Sequence, residues 1–263
     1  MAKLNGPFDF EGSIGGVSAF KMKGAKKTII RTPGGPSRED IKTKPSCDIV
    51  RRINFEFGGR STAGKHVRWC FTPLMSVSDF YPGPSICSLM NRIQPMDTVS
   101  EYGKRSVLIS KALYLLEGFD FNKRNPFDTM VRHLPQATID KESLSASVLF
   151  PALVPKVNFF PPGSHSYFRM VAVLAVLPDL FFKTENYGPE GEFSIYPQKA
   201  VSEWLIVKGG SEPTELELQL PAAPSFNSYS LVLSVGIEMG VAGPGGAIET
   251  IRHTGCGKIM ATA

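Results

Sequence analysis

At 263 residues, with 42% hydrophobic and 20% charged residues, the chain has the composition of an ordinary globular protein, far from disorder. Its 25 glycines and 21 prolines exceed usual proportions, which favours many turns between short strands over a helical bundle. The net charge of +5 is uneven: residues 1–70 hold 14 Lys/Arg against 6 Asp/Glu, the remainder 15 against 18. A basic portion of this kind can meet nucleic acid, or the mildly acidic portion of a neighbouring copy.

The opening Met1–Pro7 has no apolar run of the kind a secretory signal carries. The longest apolar stretch, Met170 to Leu177, is far short of the roughly 20 residues that span a bilayer, so no membrane partner is expected. Cys47, Cys70, Cys87 and Cys256 are widely separated with no C-x-x-C pair, and the histidines at 66, 133, 165 and 253 are equally dispersed. Reduced thiols in a cytoplasmic protein follow as the expectation, with no metal or cofactor site.

In chain order, residues 13–33 read as a basic hairpin. Phe20 and Met22 alternate with Lys21 and Lys23, Gly24–Lys27 supply a turn, and Thr28–Thr32 return. A lone hairpin is marginal in water, so this arm needs a surface to lie on. Ser46 can cap a helix with Val50, Ile53 and Phe57 on one face, stopped by Gly58-Gly59. A second periodic stretch follows at Ala63, Val67, Cys70, Phe71 and Leu74, and a third helix covers Ser85–Ile93. Arg105–Leu116 fits helix or strand equally. Helical pieces are thus expected in about the first 120 residues.

From about residue 140 the period becomes two. Leu216, Leu218 and Leu220 share one face, opposite Glu215, Glu217 and Gln219. Tyr229, Leu231, Leu233, Val235, Ile237 and Met239 alternate strictly, which predicts a strand with one buried face. Gly243–Gly246 reads as a hairpin connection. The apolar runs Val148–Phe150 and Met170–Leu177 predict strands covered on both sides. The fold class is α+β, mainly β: an antiparallel β-sandwich or jelly-roll-like body, an N-terminal basic arm and a few short helices. The expected organisation is an arm at 1–36, a helix-containing segment at 37–125 and a sandwich at 126–263, the last two being separate or one continuous domain.

Each candidate chemistry lacks a part. Gly59-x-x-x-x-Gly64-Lys65 matches a phosphate-binding loop and follows a possible strand at Ile53–Phe57, but His66 stands where the magnesium-binding hydroxyl belongs. Ser164-His165-Ser166 lacks a nucleophile elbow, and its adjacent residues on a strand would face apart. Glu117 and Asp120 could converge as a carboxylate pair, with a polar loop rim as the simpler account. Trp69 and Trp204 lie within apolar patterns and are assigned to the core. The positive candidates are basic: Lys21, Lys23, Lys26, Lys27, Arg31, Arg51, Arg52, Arg60, Lys65 and Arg68, as assembly or polyanion contacts. Phe20 has no second exposed aromatic beside it to form a stacking platform.

The segments Gly12-Ser-Ile-Gly-Gly16, Ile30-Arg-Thr-Pro-Gly-Gly35, Ile41-Lys-Thr43, Arg51–Gly58 and Ala63-Gly-Lys65 resemble a group of uncharacterised Bacteroidota proteins. The resemblance covers about the first quarter of the chain. It implies a recurring basic Gly/Arg-rich module ahead of a β-rich region, with no activity attached and no hydroxyl required after Lys65.

The resulting expectation is a non-enzymatic protein that self-assembles through its N-terminal arm into an intracellular tube, filament or phage-tail-like particle, with copies of itself as partners. A nucleic-acid-binding module using the same basic region is the alternative. A carbohydrate-active enzyme is third, and would require a deep pocket lined by Asp/Glu and exposed aromatics.

Overall fold

The computed structural model describes residues 2–3, 10–22, 27–32, 34–194 and 196–263, the first two by backbone alone. The chain divides into two compact units, Met1–Arg51 and Arg52–Ala263.

The first unit holds a four-stranded antiparallel sheet of β1 (Ala2–Lys3), β2 (Gly12–Ile14), β3 (Val17–Phe20) and β4 (Ile29–Arg31), in the order β1-β4-β3-β2. The expected hairpin is there as β3 against β4, with Ser18 opposite Arg31 and Phe20 opposite Ile29. It does not stand alone, because β1 and β2 extend it on either side. Gly15 turns β2 into β3 at φ +57°, a conformation that glycine adopts without a Cβ penalty. Residues 24–26 of the expected hairpin turn lie outside the described residues, as does Lys23.

Helix α1 (Arg38–Thr43) starts at a capping box, in which Ser37 and Asp40 each accept the other's backbone N–H. Arg51 closes its other end. The guanidinium donates to the carbonyls of Ile41 and Lys44 at 2.8 and 2.9 Å, satisfying acceptors that a helix terminus leaves open.

Helix α2 (Asp48–Cys70) begins in the first unit and continues into the second. Here the structure corrects the sequence reading. Gly58-Gly59 does not stop the helix, and Ile53–Phe57 is helical, not a strand. At about 100° per residue, the stripes Val50/Ile53/Phe57 and Ala63/Val67/Cys70 lie about 110° apart around one axis. A single helix of this length can turn only one of them to a core. Ala63, Val67 and Cys70 are buried, whereas Val50, Ile53 and Phe57 are exposed. Gly59 serves close packing: a Cβ there would sit 2.8 Å from the Tyr187 ring, whereas one on Gly58 would meet nothing within 4 Å.

The second unit continues with α3 (Gly83–Ile93), α4 (Phe127–Met130) and ten strands: β5 (Gln136–Asp140), β6 (Ser145–Phe150), β7 (Tyr167–Pro178), β8 (Phe181–Phe182), β9 (Tyr187–Gly188), β10 (Gln198–Val201), β11 (Leu205–Ile206), β12 (Thr214–Gln219), β13 (Tyr229–Ala242) and β14 (Ile248–Thr262). The ambiguous stretch Arg105–Leu116 is neither helix nor strand. It makes two 3-10 turns, at Ile109–Lys111 and Leu113–Leu115, and one bridge from Val107 to Leu180. The short α4 lies just beyond the region in which helices were expected.

The central sheet runs β10-β7-β13-β14, with β11 also pairing β7, and a second sheet runs β12-β6-β5; every pairing is antiparallel. The fold is therefore α+β and mainly β. Leu231, Leu233, Val235 and Ile237 pack with Val148, Phe150, Leu216 and Leu218 in the core between the two sheets. On the other face, Val171, Val173, Ala175 and Val232 pack with Val67, Phe71, Met90, Ile109 and Phe121. The central sheet is consequently covered on both sides.

That second cover overturns one expectation. The alternation in β13 predicts a single buried face, yet Ser230, Ser234 and Glu238 are buried as well. Conversely, the run Val148–Phe150 is covered on one side only, because Leu149 is exposed. Leu216, Leu218 and Leu220 are buried and Glu215 and Glu217 exposed, as the alternation requires. The outer edge of β14 is closed by residues 118–121: Gly118 and Phe121 donate to Ile259 and Gly257, and Ile259 donates back to Phe119. An edge paired in this way offers no template to another chain at those positions.

Candidate functional site

Of the ten basic candidates, the eight among the described residues separate into three groups. Lys21, Lys27 and Arg31 are exposed in the first unit, where Lys21 lies 3.7 Å from Glu11 and the Arg31 guanidinium sits over Phe20. Lys23 and Lys26 fall outside the described residues. Arg51, Arg52 and Arg60 hold the fold. Arg51 caps α1, Arg52 pairs with Glu101 at 3.1 Å, and Arg60 bonds the Asn91 side chain and the Glu56 carbonyl. Lys65 and Arg68 belong to a groove.

The groove follows the side of α2 opposite its buried stripe. Ser61, Lys65, Arg68 and Thr72 succeed one another at spacings of four, three and four, which lines them up along a helix face and into the turn beyond it. Three adjoining depressions lie beside them. The first, about 160 Å³, is lined by residues that include Arg68 and Tyr81. The second, about 260 Å³, adds Lys65, Trp69, Thr72 and Met75 to Arg68 and Tyr81. The third, about 290 Å³, is lined by Lys65, His66, Trp69, Phe193, Ser194 and Tyr196. Consecutive depressions share residues, and among the described residues no carboxylate lines any of the three.

Trp69 is therefore not a core residue, as the sequence reading had it. It is 43% exposed, and Tyr81 and Tyr196 are 58% and 66% exposed. The Trp69 and Tyr196 rings meet at 5.6 Å, tilted by 53°. The Arg68 guanidinium lies 5.2 Å from the centre of the Tyr81 ring, and Arg68 also donates to the Tyr81 hydroxyl. His66 is half-buried with its ring 5.4 Å from Phe193. Burial, and then the neighbouring Lys65 charge, push its pKa below the ordinary 6.5, so the imidazole is neutral at pH 7. The sequence carries one signal for this site: on a wheel centred on Ala63, Val67 and Cys70, Trp69 and Lys65 fall on the far side.

The other candidates are accounted for separately. The string Gly59–Lys65 lies inside α2, where the helix uses the backbone N–H groups that a phosphate loop would present. Glu117 accepts from the Thr262 hydroxyl while Asp120 accepts from the Phe127 N–H, so each carboxylate has a local partner. Burial raises Asp120 above the ordinary carboxylate range. Ser164 and His165 sit in the turn before β7. Another depression, about 600 Å³, lies on the outside of the β12-β6-β5 sheet with Asp140 and Glu217 among its lining and, among the described residues, no aromatic. The carboxylates and aromatics that a carbohydrate-active site would combine thus line different depressions.

Two buried ion pairs brace the second unit. Glu56 takes a bidentate pair of 2.6 Å bonds from Arg105 and a third from the Gly103 N–H. Glu238 accepts from Arg169, Lys199 and Ser76 at 2.7, 3.0 and 2.8 Å, and Arg169 in turn stacks on Trp204. Burial alone would raise both carboxyls, but these donors outweigh it and hold each below the ordinary glutamate value of 4.5. The four thiols are free, and burial pushes Cys70 up to about 12. Among the described residues no group of three or more His, Cys, Asp or Glu is placed to hold a metal, and no helix is long and apolar enough to cross a membrane.

No protein-family model matches this chain, and no curated protein or solved structure is significantly similar to it.

Proposed function

We propose that the protein is a structural subunit that assembles with copies of itself through its basic N-terminal unit. The polymer would be an intracellular tube, filament or phage-tail-like particle. The observation that carries this reading is the poverty of the N-terminal core. Among the described residues of Met1–Arg51, only Ala19, Thr28, Ile29 and Cys47 are buried. Ile14, at 65% exposed, and Met22, at 52%, lie on or beside short strands together with Val17. A unit of about this size rarely buries enough apolar surface to be stable alone, and neighbours are the usual remedy.

Charge favours the same reading. Residues 1–51 carry ten Lys/Arg against five Asp/Glu, whereas residues 52–263 carry 19 of each. The whole charge excess therefore sits on the unit with the least core. In this mechanism the N-terminal sheet of one copy lies on, or augments, a sheet of the next.

Light scattering and negative-stain electron microscopy test the proposal, comparing the full chain with a variant lacking residues 1–36. Ordered polymers from the full chain and a folded monomer from the truncation are expected. A full chain that stays monomeric as concentration rises, or a truncation that still polymerises, would sink it.

A further inference from the structure

The proposed assembly makes no use of the groove along α2, whose composition points to a ligand of its own. Cations in the last turns of a helix complement its dipole, which accounts for Lys65 and Arg68 singly. The dipole does not explain three aromatic side chains, Trp69, Tyr81 and Tyr196, left substantially in water beside them. Nor does it explain why, among the described residues, no carboxylate lines any of the three depressions.

Flat aromatic faces interleaved with cations suit a ligand that alternates planar rings with anionic groups. Single-stranded nucleic acid has that form: bases stack on aromatic side chains and phosphates lie along the positive track. The three depressions succeed one another and share Arg68 and Tyr81, then Lys65 and Trp69. That arrangement is a row of positions, as a strand requires, and not one enclosed pocket. A sugar site would instead be expected to combine its aromatic platform with carboxylates or amides, which do not line these depressions. A duplex hides its base faces and would leave Trp69 and Tyr196 with nothing to stack on.

We infer that the α2 groove binds single-stranded nucleic acid, with a base stacked on Trp69 and phosphates on Lys65 and Arg68. A second base lies against Tyr81 or Tyr196. The shared chemistry of base plus phosphate also admits a free nucleotide, so the test separates the two sources.

The chain has only two tryptophans, which makes the experiment direct. In full-length protein carrying Trp204→Phe, Trp69 alone reports the site by fluorescence. A 15-nucleotide oligodeoxythymidine strand is titrated at low salt, and thymidine monophosphate and the corresponding duplex are titrated beside it. Saturable quenching by the strand is expected, with the monophosphate and the duplex each at least tenfold weaker. Binding should weaken with salt, at a log–log slope of about −1.4 for two phosphates on a single strand.

Fluorescein anisotropy then follows two variants whose folding is checked by thermal melting. Trp69→Ala and the double variant Lys65→Gln/Arg68→Gln should each lose about tenfold in affinity, and the double variant should also flatten the salt slope. Monophosphate binding as tightly as the strand would reassign the groove to free nucleotides and overturn the strand proposal. Absence of saturable quenching, or strand affinity unchanged in both variants, would overturn it as well.

Discussion

Two of the antiparallel sheets, the central sheet of the second unit and the N-terminal sheet, differ sharply in what covers them. The central sheet of the second unit has strands of up to 15 residues and side chains buried on both faces. The N-terminal sheet has strands of two to four residues, and among its described strand residues only Ala19 and Ile29 are buried. Hydrophobic burial scales with the apolar area removed from water. The central sheet therefore carries its own stabilisation, whereas the described strands of the N-terminal sheet bury little apolar surface. Backbone pairing alone does not make a sheet stable; the covering layers do.

The largest effect that can test this contrast lies at Glu238. Substituting alanine removes the buried carboxylate and leaves Arg169 and Lys199 without it, and breaking a buried pair in this way costs about 3 kcal/mol or more. Urea unfolding should show that loss in the second unit. The same experiment carries a pH signature. Because the folded Glu238 and Glu56 carboxyls lie below 4.5, their stabilisation is complete above that value and is lost as pH falls through the folded pKa values. Glu238→Ala should therefore weaken the dependence of stability on pH below 4.5. An unchanged acid profile would mean that the pair contributes little.

A middle-sized effect tests which stripe of α2 faces the core. Val67→Ala removes two buried methyl groups and should cost about 1.5 kcal/mol, at roughly 0.8 each. Ile53→Ala, on the exposed stripe, should change unfolding by no more than about 0.5 kcal/mol. Equal losses at the two positions would refute the assignment of faces.

The smallest expected effect on unfolding falls in the N-terminal sheet. Ile14→Ser and Met22→Ser should leave the unfolding midpoint of the unpolymerised protein within about 0.5 kcal/mol of the parent. Each should nonetheless raise the concentration at which light scattering detects polymer. A marked loss of intrinsic stability would show that this sheet has a core of its own, and the contrast would fail.

Much of the second unit was legible because its patterns are local. Leu216, Leu218 and Leu220 announce a strand with one wet face, and Met170–Leu177 one with none. The groove was half legible: Lys65 and Arg68 stood out as cations, but Trp69 was assigned to the core. A tryptophan within an apolar run looks buried until the helix phase is known. Expected breaks at Gly58-Gly59 concealed that phase, and the packing of Gly59 beneath the Tyr187 ring resolved it.

The sequence by itself determined the class of the fold, the strand periodicity and the concentration of positive charge at the N-terminal end. These depend on residue type and spacing, which a chain carries whether or not it is folded. Tertiary structure alone decided three other matters: that the even positions 230–240 of β13 are buried, that α2 turns Ala63, Val67 and Cys70 inward, and that Lys65, Arg68, Trp69, Tyr81 and Tyr196 share one groove. Each depends on what a distant segment places over a surface, and no local period encodes the far side of a contact.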